Sequence, residues 1–260
     1  MPFTLAHPAA AVPFRRCGLV LSALVVGALA PDFEYFVRLA PQNRSGHQMP
    51  GVLLITFPAA FFVLWLFHAC VKRGLAALLP VPAQQRLQPY LGRFSFGGGK
   101  RFALIAASIA VGIATHLLWD MFTHSGTLAY DHWMWLQTMI ALPAVGARPV
   151  YKVLQYFSSV LGCLLLAVWI WRWWLQAPAS DTPVRAEWSA GKRTAILAAM
   201  AALPVLCALV RADAAITLPG ASVARLAGIA VVTAISTAAA EALVVGLSWE
   251  LTHPRRTIAS

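Results

Sequence analysis

Charged residues are scarce in this 260-residue chain, and its cysteines are few and scattered. Only 11% of the residues are charged, whereas 60% are hydrophobic, and soluble domains carry about 25% charged residues. The four cysteines lie far apart and form no Cys-x-x-Cys pair. The sequence therefore predicts neither a disulfide framework nor a thiolate zinc site. This composition excludes an ordinary soluble domain and indicates a polytopic membrane protein.

Five apolar runs are long enough to cross a bilayer as helices. They are Val52–Val71, Phe102–Phe122, Val153–Leu175, Thr194–Val210 and Ala224–Leu247. An earlier stretch, Gly18–Ala30, is too short to span comfortably. It ends at Pro31 rather than at a small-residue cleavage site, so it is not typical of a signal peptide. We predict an all-α polytopic membrane helix bundle with five full spans plus a short N-terminal helical hairpin or a sixth span.

The net charge of +11 is distributed over the loops between the apolar runs. This distribution is typical of membrane topology signals, so we do not expect nucleic acid as a partner. Loops 72–101 and 172–193 and the C-terminal tail carry twelve Lys and Arg, whereas the other side carries eight. Because the richer side is normally cytoplasmic, we expect loop 72–101 in the cytoplasm, segments 31–50 and 123–153 outside, and the protein in the inner (cytoplasmic) membrane of the cell.

Polar residues follow one another at the end of the second long apolar run. His116, Asp120 and His124 are spaced at i, i+4 and i+8, so the first two share a helix face and the third lies only modestly further around. Ionisable side chains at membrane depth are costly and usually functional. Imidazole and carboxylate together suit a divalent metal. His124 by itself is more typical of a helix end that reaches the membrane interface.

Other ionisable residues are expected at the same outer end of the bundle. They are Asp32, Glu34 and His47, joined by His7 if the stretch 18–30 does not fully span the membrane. If the stretch 18–30 does not span the membrane, segments 3–14 and 17–30 can form a helical hairpin packed inside the bundle, because non-helical backbone is tolerated at membrane depth where protein buries it. The sequence therefore predicts a divalent-metal site at the outer face.

Four short motifs connect this chain to a known family. They are Met1-Pro2-Phe3-Thr4-Leu5-Ala6-His7-Pro8, Ala30-Pro31-Asp32-Phe33-Glu34-Tyr35, His116-Leu-Leu-Trp-Asp120 with Thr123-His124, and Tyr151-Lys-Val-Leu-Gln155 with Ser158-Ser159. Together they cover roughly the first two-thirds of the chain. They resemble the bacterial family called domain of unknown function 4184. Their order is also similar to that of the inner-membrane, metal-dependent hydrolases and, more distantly, of zinc-dependent phospholipase C.

The resemblance implies a set of metal ligands and a reaction class. The implied ligands are His7, Asp32, His47, His116, Asp120 and His124, with zinc as the expected ion and manganese or iron as alternatives. The implied reaction is hydrolysis of a phosphoester or lipid-like substrate, with Glu34 or Asp120 as the catalytic general base. Tyr151 and Gln155 are candidates for orienting the histidines. Where the membrane hydrolases usually carry Asp-x-Asp-His, this chain has Glu34 and Tyr35, which leaves the number of metals open.

Two other functions fit the same sequence. One is a transporter in which Asp32, Asp120 and Glu241 line a pathway, although the sequence shows no internal repeat. The other is a noncatalytic membrane protein whose closed metal site only stabilises the bundle.

Whichever function applies, we expect residues 1–176 to form the family-like membrane domain, with residues 177–260 adding two helices to the same bundle. The bilayer is the expected partner, and the oligomeric state stays open.

Overall fold

The computed structural model describes residues 3–41, 46–143, 146–180 and 188–253. Within these ranges five helices are long and apolar enough to cross a membrane. They are Val52–Leu78, Gly99–His132, Val150–Gln176, Ala190–Ile216 and Val223–Thr252. Each contains one of the five predicted apolar runs, so the all-α, multi-pass architecture is confirmed. Four arginines that enter the charge count, Arg44, Arg185, Arg255 and Arg256, lie outside the described residues.

Helices account for most of the described chain. The α-helices are α1 Pro8–Ala11, α2 Leu21–Leu29, α3 Phe33–Arg38, α4 Phe57–Leu66, α5 Lys72–Leu78, α6 Val81–Leu87, α7 Gly99–Thr123, α8 Leu128–His132, α9 Val150–Gln176, α10 Ala190–Ile216 and α11 Val223–Thr252. Short 3-10 helices lie at Thr4–Ala6, Val12–Cys17, Ala30–Asp32, Gln88–Tyr90 and Met134–Gln137. Turns of π-helix, Val52–Thr56 and Phe67–Val71, flank α4. Strands β1 Met139–Leu142 and β2 Gly146–Pro149 pair antiparallel, with Ile140 opposite Arg148.

The described residues fall into two compact units. Unit 1 comprises those of Met1–Phe33, Arg44–Leu64 and Phe96–Gln176, and unit 2 comprises those of Glu34–Asn43, Trp65–Ser95 and Ala177–Ser260. All six predicted metal ligands belong to unit 1, whereas Glu34 belongs to unit 2.

The N-terminal part of unit 1 is a hairpin of short helices. α1 packs against α2, and both pack against α7. α2 has nine residues and is therefore about 14 Å long, less than half of the ~30 Å hydrocarbon core of a bilayer. Within the described residues this stretch is also not among the five helices that are long and apolar enough to cross a membrane, so of the two predicted alternatives the structure has the helical hairpin.

Two glycines bring α2 and α7 into backbone contact. A Cβ on Gly112 would collide with the carbonyl oxygen of Leu24, and a Cβ on Gly27 would collide with the carbonyl oxygen of Ile109. Small residues allow this close approach between helices that cross a membrane environment. The contact sets the end of α2 beside the last turns of α7, where the predicted metal ligands lie.

Helix α9 contacts the first described residues of unit 1. The backbone N–H of Phe3 donates to the Ser159 hydroxyl at 3.0 Å, and the Trp119 indole N–H donates to the Ser158 hydroxyl at 3.0 Å. A Cβ on Gly162 would press on Ala6. Through these contacts α9 fixes the position of the 3-10 turn that precedes His7.

Unit 2 is built around α11. This helix packs against α10 and α5, and a Cβ on Gly246 would collide with the Cys70 carbonyl oxygen. At one end, Arg73 forms an ion pair of 2.8 Å with Glu250, and the rings of Trp188 and Trp249 meet edge to face at 5.0 Å. Unit 2 thus repeats the close glycine-mediated helix packing seen in unit 1.

Candidate metal centre

Unit 1 gathers all six predicted metal ligands at one place. Two histidines and two aspartates are almost fully buried, and the remaining two histidines are partly exposed. The buried side chains are His7, Asp32, His116 and Asp120, and the partly exposed ones are His47 and His124. They come from the N-terminal hairpin, the turn before the Val52–Leu78 helix, and the end of α7. Two overlapping three-residue groups among the described residues could hold a metal ion, namely His7–Asp32–His116 and His47–His116–Asp120. His124 belongs to neither group, although its Nδ1 lies 3.4 Å from Asp120 Oδ1.

Four of these side chains bring one ligand atom each close to the others. The Nε2 atom of His47 lies 3.2 Å from Nε2 of His116 and 3.0 Å from Oδ2 of Asp120. His116 Nε2 is 3.3 Å from Asp120 Oδ2, and both imidazole nitrogens are 3.6 Å from Asp32 Oδ1. Ligands bound tetrahedrally at 2.0–2.2 Å are separated by roughly 3.3–3.6 Å. The observed spacing suits a single divalent ion.

The hydrogen bond behind His116 fixes how this ring faces the cluster. Its Nδ1 lies 2.7 Å from the carbonyl oxygen of Ala28, which can only accept, so Nδ1 carries a proton and donates. In the neutral ring Nε2 then presents its lone pair. That lone pair faces carboxylate oxygens of Asp32 and Asp120, an arrangement that repels unless a proton or a metal ion lies between them. Metal-bound histidines typically donate their other N–H to a backbone carbonyl in this way.

Buried polar atoms without hydrogen bonds also point to a bound ion. Neither ring nitrogen of His7 forms a hydrogen bond with a described residue, and the same holds for Oδ1 of Asp120. Buried polar atoms are nearly always satisfied in folded proteins, so each exception calls for an explanation. Imidazole nitrogens and carboxylate oxygens are the donor atoms that zinc, manganese and iron bind. The donor set and its unsatisfied atoms therefore fit a divalent metal.

The N-terminal hairpin supplies one neutral base and one acid to the cluster. Burial, reinforced by the neighbouring His116 ring, lowers the pKa of His7 to about 3, so this imidazole is neutral at pH 7 and able to bind metal. Burial also raises the pKa of the Asp32 carboxyl. A cation beside Asp32 would favour its ionised form. The hydroxyl of Thr4 donates to Asp32 Oδ2 at 2.5 Å and holds the carboxylate in place.

The residues that orient the ligands differ from those that the sequence suggested. Gln155 accepts a hydrogen bond from Lys152, and Tyr151 packs against the ring of Tyr130. The orienting contacts come instead from the Thr4 hydroxyl and the Ala28 carbonyl. Thr4 lies in the N-terminal motif, three residues before His7, so its place in that motif could have indicated a role in orienting a ligand. The contact between His116 and Ala28 is made by a backbone carbonyl, so the identity of the side chain at position 28 could not predict it.

Ring stacking fixes His7 within the cluster. Its imidazole stacks on that of His116 with ring centroids 3.8 Å apart and planes 17° from parallel. The indole of Trp119 packs on His7 at 5.4 Å, and α9 holds that indole through Ser158. A buried, stacked ring of this kind has little freedom to turn away from its neighbours.

One side of the cluster is accessible. The side chains of His47 and His124 are 24% and 28% exposed, whereas that of Asp120 is 8% exposed. Closed sites are typical of structural metals, and catalytic sites keep a position open for water or substrate. The accessible histidines favour an open site.

Other ionisable residues named from the sequence have separate surroundings. Neither three-residue ligand group in the described residues includes Glu34, which forms an ion pair of 3.1 Å with Arg38 in unit 2. His68 stacks on the ring of Phe94 at 3.9 Å. Glu241 lies in the span Val223–Thr252 with Oε2 buried and without a hydrogen bond to a described residue. The proposed base role of Glu34 therefore stays a prediction.

Comparison with known proteins gives one result. A sequence model of the family described as "Domain of unknown function (DUF4184)" matches residues 1–247. The match includes all six clustered residues and extends past the first two-thirds of the chain, where the recognised motifs lie, through α10 and most of α11. No protein of curated function and no solved structure matches the chain.

Proposed function

The chain belongs to the DUF4184 family, and from this premise we propose that it is a membrane protein that binds a divalent metal ion through Asp32, His47, His116 and Asp120. Zinc is the proposed ion, with manganese and iron as alternatives. One observation carries the proposal: the ligand atoms of His47, His116 and Asp120 lie 3.0–3.3 Å from one another. Asp32 Oδ1 lies 3.6 Å from both imidazole nitrogens, and the Ala28 carbonyl turns the His116 lone pair toward these carboxylates. Buried but unsatisfied atoms on His7 and Asp120 support it.

The proposed reaction is hydrolysis of a phosphoester or lipid-like substrate. Bound at this site, a divalent ion would polarise a phosphoryl oxygen and lower the pKa of a coordinated water. Asp120 directs Oδ2 between two imidazole nitrogens, which favours a ligand role over a general-base role. The partly exposed histidines support substrate entry and weigh against a purely structural metal.

Metal content and phosphoester cleavage test this proposal together. The protein would be purified in detergent, stripped with EDTA, reloaded with zinc and passed through a desalting column before metal analysis. We expect bound zinc in at least one equivalent per chain, together with zinc-dependent cleavage of a chromogenic phosphodiester. If zinc, manganese and iron all fail to bind, the metal centre is refuted. Metal binding without cleavage of phosphodiester or phosphomonoester probes would favour the noncatalytic alternative.

We also propose that the centre faces the outside of the inner membrane. The bias of Lys and Arg toward segment 172–193 and toward residues 72–101, which include the end of the Val52–Leu78 helix and the start of α7, supports this orientation. Ser95 and Ala147 are exposed residues of the two opposing segments and are suited to test it. In a background without the four native cysteines, Ala147→Cys should react in intact cells with an impermeant maleimide, and Ser95→Cys should react only after permeabilisation. The reverse labelling pattern would invert the topology.

A further inference from the structure

Unit 2 contains a cavity that none of the metal ligands lines. Its volume is about 350 Å³, and its lining residues are Trp65, His68, Ala69, Arg93 and Phe94. All five belong to unit 2. His68 and Ala69 lie in the π-helical turn Phe67–Val71, and such turns occur frequently at functional sites. The volume falls in the range of roughly 300–1,000 Å³ that is typical of small-ligand sites.

Arg93 gives the cavity a positive charge. Its side chain is exposed, so the guanidinium is accessible to a ligand. Residues 65–95 include four Lys and Arg but no Asp or Glu, and the one carboxylate paired with this segment, Glu250, is bound by Arg73. A guanidinium stays charged and can bind two phosphate oxygens at once. The charge of the cavity therefore favours an anion, and phosphate in particular.

Contacts on both sides of Arg93 hold its backbone in place. Residues 91–94 lie in neither a helix nor a strand. Before Arg93, the ammonium group of buried Lys72 donates to the carbonyl oxygens of Tyr90 and Gly92 at 3.1 and 2.6 Å. After it, the Phe94 ring stacks on His68 with centroids 3.9 Å apart and planes 8° from parallel. This wall of the cavity is thus formed before a ligand arrives, which lowers the entropic cost of binding.

The position of the cavity along its helix indicates the source of the phosphate. Trp65, His68 and Ala69 lie in the last two turns of the apolar run 52–71, and the charged pair Lys72 and Arg73 follows at once. Such a boundary between apolar and basic residues is typical of the lipid headgroup level, where tryptophan is enriched. Trp65 is 48% exposed. Basic pockets between membrane helices bind anionic headgroups, and the cytoplasmic leaflet, which this end faces in the proposed topology, carries anionic lipids.

We propose that this cavity binds the headgroup phosphate of an anionic phospholipid. Arg93 is the phosphate ligand, and the rings of Trp65 and Phe94 form apolar walls for the part of the lipid that joins the phosphate to its chains. The site needs no metal ion, so it stands or falls independently of the metal centre in unit 1.

Lipid binding to the full-length protein in a neutral detergent tests the site. The probes are phosphatidylglycerol and phosphatidylcholine that carry the same fluorescent acyl chain. We expect wild-type protein to bind phosphatidylglycerol more tightly than phosphatidylcholine. Arg93→Gln should weaken phosphatidylglycerol binding by roughly 10–100-fold, the range expected when a charged hydrogen bond is lost. Ala69→Leu should weaken it as well, because the larger side chain fills the cavity while the charge is kept.

Arg86→Gln is the matched control for Arg93→Gln. It removes the same charge from the same unit, but the Arg86 guanidinium donates to the Pro82 carbonyl oxygen and does not line the cavity. We expect Arg86→Gln to keep the affinity of the wild type. Zinc content should be the same in wild-type and Arg93→Gln protein, since the metal ligands belong to unit 1.

Four results would overturn the lipid site. They are equal binding of the two lipids by the wild type, unchanged phosphatidylglycerol binding in Arg93→Gln, an equal loss in Arg86→Gln, and displacement of phosphatidylglycerol by an equal concentration of inorganic phosphate. The third would indicate general attraction to a basic surface, and the fourth a site for the free anion. If Ala69→Leu does not fold, Arg93→Gln decides, because an exposed arginine can be replaced without disturbing the helix packing.

Discussion

Replacing Asp120 with asparagine is expected to leave the purified protein without bound metal while its helices stay folded. Asn has nearly the same size as Asp, so packing is kept, but its amide lacks the charge and one of the two oxygens. Both oxygens of Asp120 face imidazole nitrogens within 3.6 Å. We therefore expect the affinity for zinc to fall by at least ~100-fold, because even substitutions behind the ligands commonly cost 10–100-fold.

The fold should survive because its stability comes from helix packing spread over many residues. Neutralising Asp120 also removes a charge that is costly near membrane depth. The measurement is zinc content by mass spectrometry, alongside thermal unfolding of the metal-free proteins in detergent. His68→Ala is the control: its ring stacks on Phe94 in unit 2, so metal content should not change. His47→Ala, which alters a partly exposed ligand, should reproduce the loss seen for Asp120→Asn.

Two results would contradict the assignment of the metal ligands or the catalytic role of the metal. Full zinc content in both Asp120→Asn and His47→Ala would show that the metal site is assigned to the wrong residues. Loss of the folded state in Asp120→Asn, with metal-free wild-type protein also unfolded, would make the metal structural. In that case the hydrolase proposal would lose its main support, and the noncatalytic alternative would replace it.

The second large effect is expected from Gly112→Ala. The added methyl group would collide with the Leu24 carbonyl oxygen, so α2 and α7 must move apart. Overpacking against backbone costs about 3 kcal/mol, which corresponds to a fall of roughly 5–10 °C in the thermal midpoint. Separation of these helices also pulls the Ala28 carbonyl away from His116 Nδ1. We therefore expect zinc affinity to fall together with stability, although Gly112 is not a metal ligand.

A second glycine on the same helix provides the control. A Cβ on Gly99 would meet no atom within 4 Å, and alanine is the better helix former. Gly99→Ala should leave the thermal midpoint and zinc affinity unchanged or slightly raised. If Gly112→Ala behaves like Gly99→Ala, the close contact of α2 and α7 is not required for the centre.

Sequence reasoning identified the long helices because a bilayer imposes simple rules on them. A span needs about 20 apolar residues, and its backbone hydrogen bonds must be made within the segment. Both requirements can be read from composition, and all five predicted runs lie within the five long helices. The same local geometry placed His116 and Asp120 on one face, since residues four apart are neighbours on any α-helix. Sequence was least decisive for the Gly18–Ala30 stretch, whose length allowed either a hairpin or a span.

Tertiary structure decided everything that depends on two segments meeting. The approach of α2 to α7 requires Gly27 and Gly112 each to face the backbone of the other helix. No local sequence pattern reveals which glycines lie at such a contact. That approach brings Asp32 within 3.6 Å of His116 Nε2 and lets the Ala28 carbonyl fix the His116 ring. Sequence by itself thus determined the membrane class, the spans and the residue types able to bind metal. Only the packed structure could set their distances and orientations, because these are fixed by contacts between side chains and backbone far apart in the chain.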